Sequence, residues 1–195
     1  MITLSPQARN RVFLLFVIAC FLTPLVAASL LVGVWDSVGG ASHGQLLDPV
    51  RPVPPLGGTT LSGDPLDRDF LKERWTLIYG DSGACGEDCR TGLYYTRQVR
   101  LALGRELPRV QRLYLLTDPP DPQQRRWLKG EHPDLTAARV DGGALGFFHR
   151  SFAATGPGIY LVDPLGNLVL RYTLDHDPRD ILKDLKRLLK LSHIG

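Results

Sequence analysis

The sequence predicts an α/β fold: a central sheet flanked by helices, preceded by a single N-terminal transmembrane helix. Three observations predict it. A run of 24 residues without charge, Val12 to Trp35, stands near the start. Further on, short apolar runs bounded by Gly or Pro alternate with helix-length segments, the pattern of a sheet with helices on its faces. The final segment carries an apolar stripe of helical period.

A chain of 195 residues holds one ordinary domain and a tail, but hardly two domains. Its formal charge is only +3, and Lys and Arg are scattered among Asp and Glu. The concentrated basic stripe of a nucleic-acid binder is missing, so no nucleic-acid partner is expected. The 15 prolines and 20 glycines fall in clusters, which marks linkers and turns.

Residues 1–11 contain Arg9 and Arg11 and no acid. The run 12–35 follows. A bilayer core of ~30 Å needs ~20 apolar residues in a helix. A signal peptide's apolar core is only about 7–15 residues long. Ala27-Ala28-Ser29 resembles a cleavage site weakly, yet six largely apolar residues follow it. The run therefore reads as an uncleaved anchor. Positive residues stay in the cytoplasm, so residues 1–11 are a cytoplasmic tail and the rest lies across the bilayer. In a bacterium that is the periplasm; in an organelle it is the intermembrane space. Residues 36–65 are rich in Gly, Pro and small polar residues and read as a spacer, stiffest at Arg51-Pro52-Val53-Pro54-Pro55. Residues 66–195 form the domain.

Within it, Trp75 to Tyr79 reads as a buried strand ending at Gly80. Cys89 to Gly104 reads as a helix, with Leu93, Val99, Leu101 and Leu103 among its apolar positions. Val110 to Leu116 is a second strand. Pro122 to Gly130 is a short helix with Pro at its start, where the missing N–H costs nothing. Gly142 to His149 is another. Gly158 to Val162 and Leu168 to Tyr172 flank turn chemistry at 163–167 and make a β-hairpin. Pro178 to Leu191 closes the chain as an amphipathic helix. Ile181, Leu182, Leu185, Leu188 and Leu189 line its apolar side, and Lys183, Lys186, Arg187 and Lys190 face away as a solvated surface.

Of three cysteines, Cys20 lies in the apolar run and reads as a small apolar residue. Cys85 and Cys89 are the working pair. They sit where a strand, a loop and a helix meet, so unpaired N–H groups and the helix dipole lower the thiol pKa there. A lowered pKa makes a better metal ligand and a better leaving group in disulfide exchange. Glu87 and Asp88 lie between them and push the other way by like charge. Residues four apart on a helix hold their Cβ atoms ~5–6 Å apart, beyond the ~3.5–4.5 Å of a disulfide. Closing the bond then requires an irregular first turn. The same two sulfurs can hold one soft cation such as Cu(I); zinc asks for four ligands, and there is no second pair. A static staple is the third use, a weak one, because a five-residue loop removes little chain entropy.

These residues resemble a known family. Trp75 to Gly104, with its strand, loop, Cys-x3-Cys and helix, looks like the thioredoxin-like Sco/SenC proteins. Ile159 to Asn167 (IYLVDPLGN) is similar to their penultimate hairpin. Tyr79 to Cys89 (YGDSGACGEDC), followed by Thr96 to Arg100, looks like the small Sco-like membrane proteins of proteobacterial cytochrome oxidase gene clusters. The resemblance spans roughly residues 60–191. It implies a thioredoxin fold, a periplasmic domain tethered to the bacterial inner membrane, and a role in maturing the copper centre of cytochrome c oxidase. The partners implied are the copper-binding subunit of the oxidase, other assembly factors and the lipid bilayer through residues 12–35. Sco proteins bind one copper through both cysteines and a histidine, so Cys85 and Cys89 carry over as metal ligands or as a redox pair.

The histidine does not carry over. Its family position, just before the hairpin, holds Ala154-Thr155-Gly156-Pro157-Gly158 here. His149 is the nearest upstream histidine and the candidate third copper ligand. Pro157 stands where ordinary thioredoxins place a cis-proline beside their cysteines. His43, His132, His176 and His193 draw no role. Copper is thus one implied cargo. Three functions follow: an oxidase assembly factor or metallochaperone, a general periplasmic thiol-disulfide oxidoreductase, and a structural assembly subunit with an inert disulfide.

Overall fold

The computed structural model describes residues 15–24, 26, 29, 42–81, 84–192 and 194. The chain divides into two compact units, residues 1–41 and residues 42–195. In the first, residues 15–24, 26 and 29 are helical. Among the described residues no helix is long and apolar enough to cross a membrane. The tail 1–11, with Arg9 and Arg11, and the remainder of the expected 12–35 span lie outside the described residues.

The second unit is a seven-stranded mixed sheet in the order β1-β7-β6-β3-β4-β5-β2. Its strands are β1 (Gln45–Pro52), β2 (Thr59–Thr60), β3 (Trp75–Asp81), β4 (Val110–Leu116), β5 (Leu135–Arg139), β6 (Ile159–Val162) and β7 (Asn167–Tyr172). Among the described residues four α-helices accompany them: α1 (Glu87–Leu101), α2 (Pro122–Glu131), α3 (Gly142–Ser151) and α4 (Pro178–Leu191). β3, β4 and β5 run parallel, and β6 lies antiparallel to β3. Every residue of β4 is buried, as a central parallel strand covered on both faces requires.

Alternation along the strands divides the core in two. Leu77, Tyr79 and Tyr114 meet α1, α2 and α4 through Leu93, Leu128 and Leu185. Ile78, Leu113 and Leu115 point to the opposite face, which Phe148 and Phe152 cover together with Leu47, Leu56, Leu66 and Leu71. Helix starts follow local chemistry. The side chains of Asp121, Asp141 and Asp177 accept from the backbone N–H of Gln124, Ala144 and Arg179.

The expected spacer 36–65 is corrected from Ser42 onward. β1 pairs antiparallel with β7, and β2 with β5. Pro49 and Pro52 hide this strand from a reading by pattern, but β1 is an edge, where a missing N–H is tolerated. The buried Asp184 of α4 fastens its start. It accepts from the backbone N–H of His43 (2.8 Å) and Gly44 (3.2 Å) and from the Tyr172 hydroxyl (3.0 Å). β5 is also added: Leu135–Arg139 is short and alanine-bearing, and it becomes a strand through parallel pairing with β4.

A polar knot ties α1 to the sheet. Arg112 of β4 is fully buried. It donates to the Leu93 carbonyl (2.8 Å), Thr96 Oγ1 (3.1 Å), Asp134 Oδ1 (3.2 Å) and His132 Nδ1 (3.2 Å). To accept that bond His132 must be neutral. Burial first, and then the Arg112 charge, pull its pKa down from 6.5 to about 4. The unfolded chain therefore takes up a proton that the folded chain refuses between those values. This contribution is complete above pH ~6.5 and is lost as pH falls towards ~4, up to ~3 kcal/mol. Denaturant unfolding across that range is expected to show His132→Gln with a flatter stability–pH curve than the wild type.

Candidate functional site

Helix α1 starts at Glu87, with Gly86 as its N-cap. Cys85 therefore lies before the helix, and Cys89 is its third helical residue. That half-turn offset resolves the distance conflict of a purely helical Cys-x3-Cys. The two Cα atoms are 5.0 Å apart and the sulfurs are bonded at 2.04 Å. Glu87 and Asp88 occupy the first turn and are exposed.

The two cysteines differ in burial. Cys89 is fully buried, while Cys85 is half-buried. They also face different hollows. Cys89 lines a cleft of about 560 Å³ with Tyr79, Leu145, His149 and Pro157. Cys85 lines a second depression of about 430 Å³ with Asp121, Gln124 and Trp127, where the Arg90 guanidinium stands 5.4 Å above the Trp127 ring.

Beneath the disulfide lie two tyrosines in register on neighbouring strands, Tyr79 on β3 and Tyr114 on β4. Their ring centroids are 6.1 Å apart. The Tyr114 oxygen lies 3.4 Å from Cys89 Sγ. A disulfide sulfur carries no proton, so the hydroxyl is the donor. Burial, then the charge of Asp81, raises the pKa of both tyrosines, which keeps each hydroxyl protonated. Neither tyrosine was marked by the sequence. Their placement depends on strand register, and the only available trace was a Tyr in each of two apolar runs.

His149 reaches the same cleft as Cys89, from α3. Its Nε2 is buried with no hydrogen-bond partner. Burial, then Arg171, lowers its pKa, which favours the neutral ring. Among the described residues no three His, Cys, Asp or Glu side chains are grouped to hold a metal, so Cys85, Cys89 and His149 share a neighbourhood without forming a ligand set with the disulfide closed. Pro157 also lines the cleft, and its bond to Gly156, whose isomer the sequence leaves open, is trans. The cis bond among the described residues joins Asp48 and Pro49. The trans preference of an X–Pro bond is only about 0.5–1 kcal/mol, so tertiary packing decides the isomer. Here the buried Arg171 donates to the carbonyls of Gly156 (3.2 Å) and Pro157 (3.4 Å) and holds that loop. Of the remaining histidines, His43 and His176 belong to the fastening at Asp184 and α4, His132 to the knot around Arg112, and His193 lies outside the described residues.

Comparisons with known proteins place this geometry. No curated protein matches the chain. Among solved structures, apo Sco1 from Thermus thermophilus is 22% identical with a TM-score of 0.61, covering 76% of this chain and 97% of its own. Copper-bound ScoI from Arabidopsis thaliana is 17% identical with a TM-score of 0.60, covering 73% and 100%. A thiol:disulfide interchange protein from Bacteroides sp. is 17% identical with a TM-score of 0.56, covering 72% and 90%. At such identities the likeness is one of fold, and that fold is thioredoxin-like. The family described as transmembrane-like, thioredoxin-like, C-terminal domain matches residues 75–192, more than half of the sequence, and the chain belongs to it.

Proposed function

We propose that this chain is a membrane-anchored periplasmic assembly factor for cytochrome c oxidase, acting through thiol–disulfide exchange at Cys85 and Cys89. The observation that carries the reading is the asymmetry of the pair: a closed disulfide at a helix start between a half-buried Cys85 and a fully buried Cys89. A partner thiolate attacks Cys85 Sγ. Cys89 leaves as a thiolate at the positive end of α1, where the dipole and unpaired N–H groups stabilise it. A second partner thiol then resolves the mixed disulfide. The pair gains two electrons and two protons, and the partner dithiol becomes a disulfide.

The partner proposed is the copper-binding subunit of the oxidase, alongside other assembly factors. The anchor is residues 12–35, inserted in the bacterial inner membrane with residues 1–11 cytoplasmic; the uncharged run and the preceding Arg9 and Arg11 support it. Copper delivery is the second reading. Its supporting observation is His149, neutral-leaning and unpaired, in the cleft that Cys89 lines. After reduction, Cys85 and Cys89 would supply two thiolates to Cu(I) as cargo, with His149 as third donor.

One experiment separates the readings. The full chain in detergent is reduced, offered Cu(I) without oxygen, and assayed for bound copper and for its dithiol potential. A potential above roughly −300 mV without copper supports exchange, because structural disulfides lie lower. Stoichiometric copper that is lost in Cys85→Ser or Cys89→Ser supports delivery, and an unchanged affinity in His149→Ala removes that ligand. A very low potential with no copper leaves an inert bridge.

A further inference from the structure

We propose that the Tyr114 hydroxyl is a catalytic group of this exchange: it hydrogen-bonds the Cys89 sulfur, stabilises the thiolate released when the disulfide opens, and thereby sets the reduction potential of the pair. This rests on the exchange reading and assigns a role to a residue outside the cysteine motif.

The geometry is direct. Tyr114 Oη is 3.4 Å from Cys89 Sγ, and both residues are fully buried. Their contact is shielded from water, so water does not compete for the sulfur. Tyr114 is central in a sheet buried on both faces, so its ring cannot swing away. The bonded Cys89 sulfur carries no proton, so the hydroxyl is the donor in this contact. The bond is weak while the sulfur is half of a disulfide. It becomes charge-assisted once that sulfur is a thiolate, and such bonds are roughly twice as strong. The hydroxyl thus favours the reduced, ionised state over the oxidised one.

Electron flow makes the consequence specific. The incoming thiolate forms a bond to Cys85 Sγ as the Cys85–Cys89 bond breaks, and the electron pair of that bond leaves on Cys89 Sγ. Of the two sulfurs, Cys89 is the one that Tyr114 touches. The hydroxyl is therefore aimed at the leaving group, and a leaving thiol of lower pKa departs faster.

The test uses the full chain in detergent. Tyr114→Phe removes the oxygen and keeps the ring. Equilibration with oxidised and reduced dithiothreitol, at a pH where Cys89 is ionised, is expected to show a reduction constant about tenfold lower than wild type, or ~30 mV for a two-electron couple. In a Cys85→Ser background, the absorbance titration of the Cys89 thiolate is expected to move to higher pH. A merely structural role would change the melting temperature and leave both readouts in place. Should Tyr114→Phe fail to fold, carbon-13 tyrosine spectra of the Cys85→Ser protein serve instead: the Tyr114 Cζ resonance is expected to shift as Cys89 ionises. An unmoved potential in Tyr114→Phe, or a Tyr114 resonance blind to Cys89, overturns the inference alone. A wild-type pair that resists dithiothreitol altogether overturns the exchange reading and the inference together.

Discussion

Gly92→Ala is expected to destabilise the domain by about 3 kcal/mol, an overpacking cost, measured by denaturant unfolding of the oxidised protein. In an exposed helix the change would help, because Ala is favoured over Gly by about 1 kcal/mol. Gly92 is not exposed. It is one turn beyond Cys89 on α1, and a Cβ there would overlap the Tyr79 ring. Tyr79 cannot retreat, since it is fully buried with Tyr114 at 6.1 Å between ring centroids. Helix α1 must move off the sheet instead, carrying Cys89 away from Tyr114. The variant should therefore also show a shifted disulfide potential. Gly130→Ala in α2 is the counter-case. Beyond its chain neighbours and the helix's own backbone, nothing lies within 4 Å of its Cβ position, so the same substitution there is expected to be neutral or stabilising by up to ~1 kcal/mol.

Arg112→Met is expected to cost about 3 kcal/mol in the same measurement. The loss is of charge and hydrogen bonds, with the side-chain stem kept. Four acceptors lose one donor each: Thr96, His132, the Leu93 carbonyl, which still accepts from Thr96 Oγ1, and Asp134, which still accepts from Arg100. His132 Nδ1 is buried and loses its partner, and an unpaired buried polar group costs about 1–3 kcal/mol; Thr96 and the Leu93 carbonyl keep their bond to each other and add less. Asp134 is about one-third exposed and counts for less. A second effect follows from charge. Arg112 opposes protonation of His132, so its removal lets the imidazole titrate closer to its ordinary value. The loss of stability between pH ~6.5 and ~4 should shrink with it. Because the residues touch, Arg112→Met and His132→Gln are expected to be non-additive, which a double-mutant cycle reads directly.

The fold was legible wherever it rests on local pattern. Trp75 to Gly80, Val110 to Leu116 and the 158–172 hairpin carry apolar runs and turn residues in sequence order, and all are strands. The helices of 122–131, 142–151 and 178–191 announce themselves by Pro or Asp at their starts. What escaped is what pairing alone creates. Gln45–Pro52 contains two prolines and little periodicity, and it is a strand because β7 offers an unpaired edge.

By itself, the amino-acid sequence determined the uncharged run 12–35, the order of the main elements and the position of Cys85 and Cys89 at a helix start. These are local properties, set by hydrophobic period and by the chemistry of capping and turns within a few residues. Tertiary structure alone decided the rest of the site. It set the exact helix start that lets Cys85 and Cys89 bond, the difference in their burial, the trans bond at Pro157, and the hydroxyl 25 residues away that meets Cys89. Each depends on strand register and on packing between distant segments, where no local pattern records which side chains will touch.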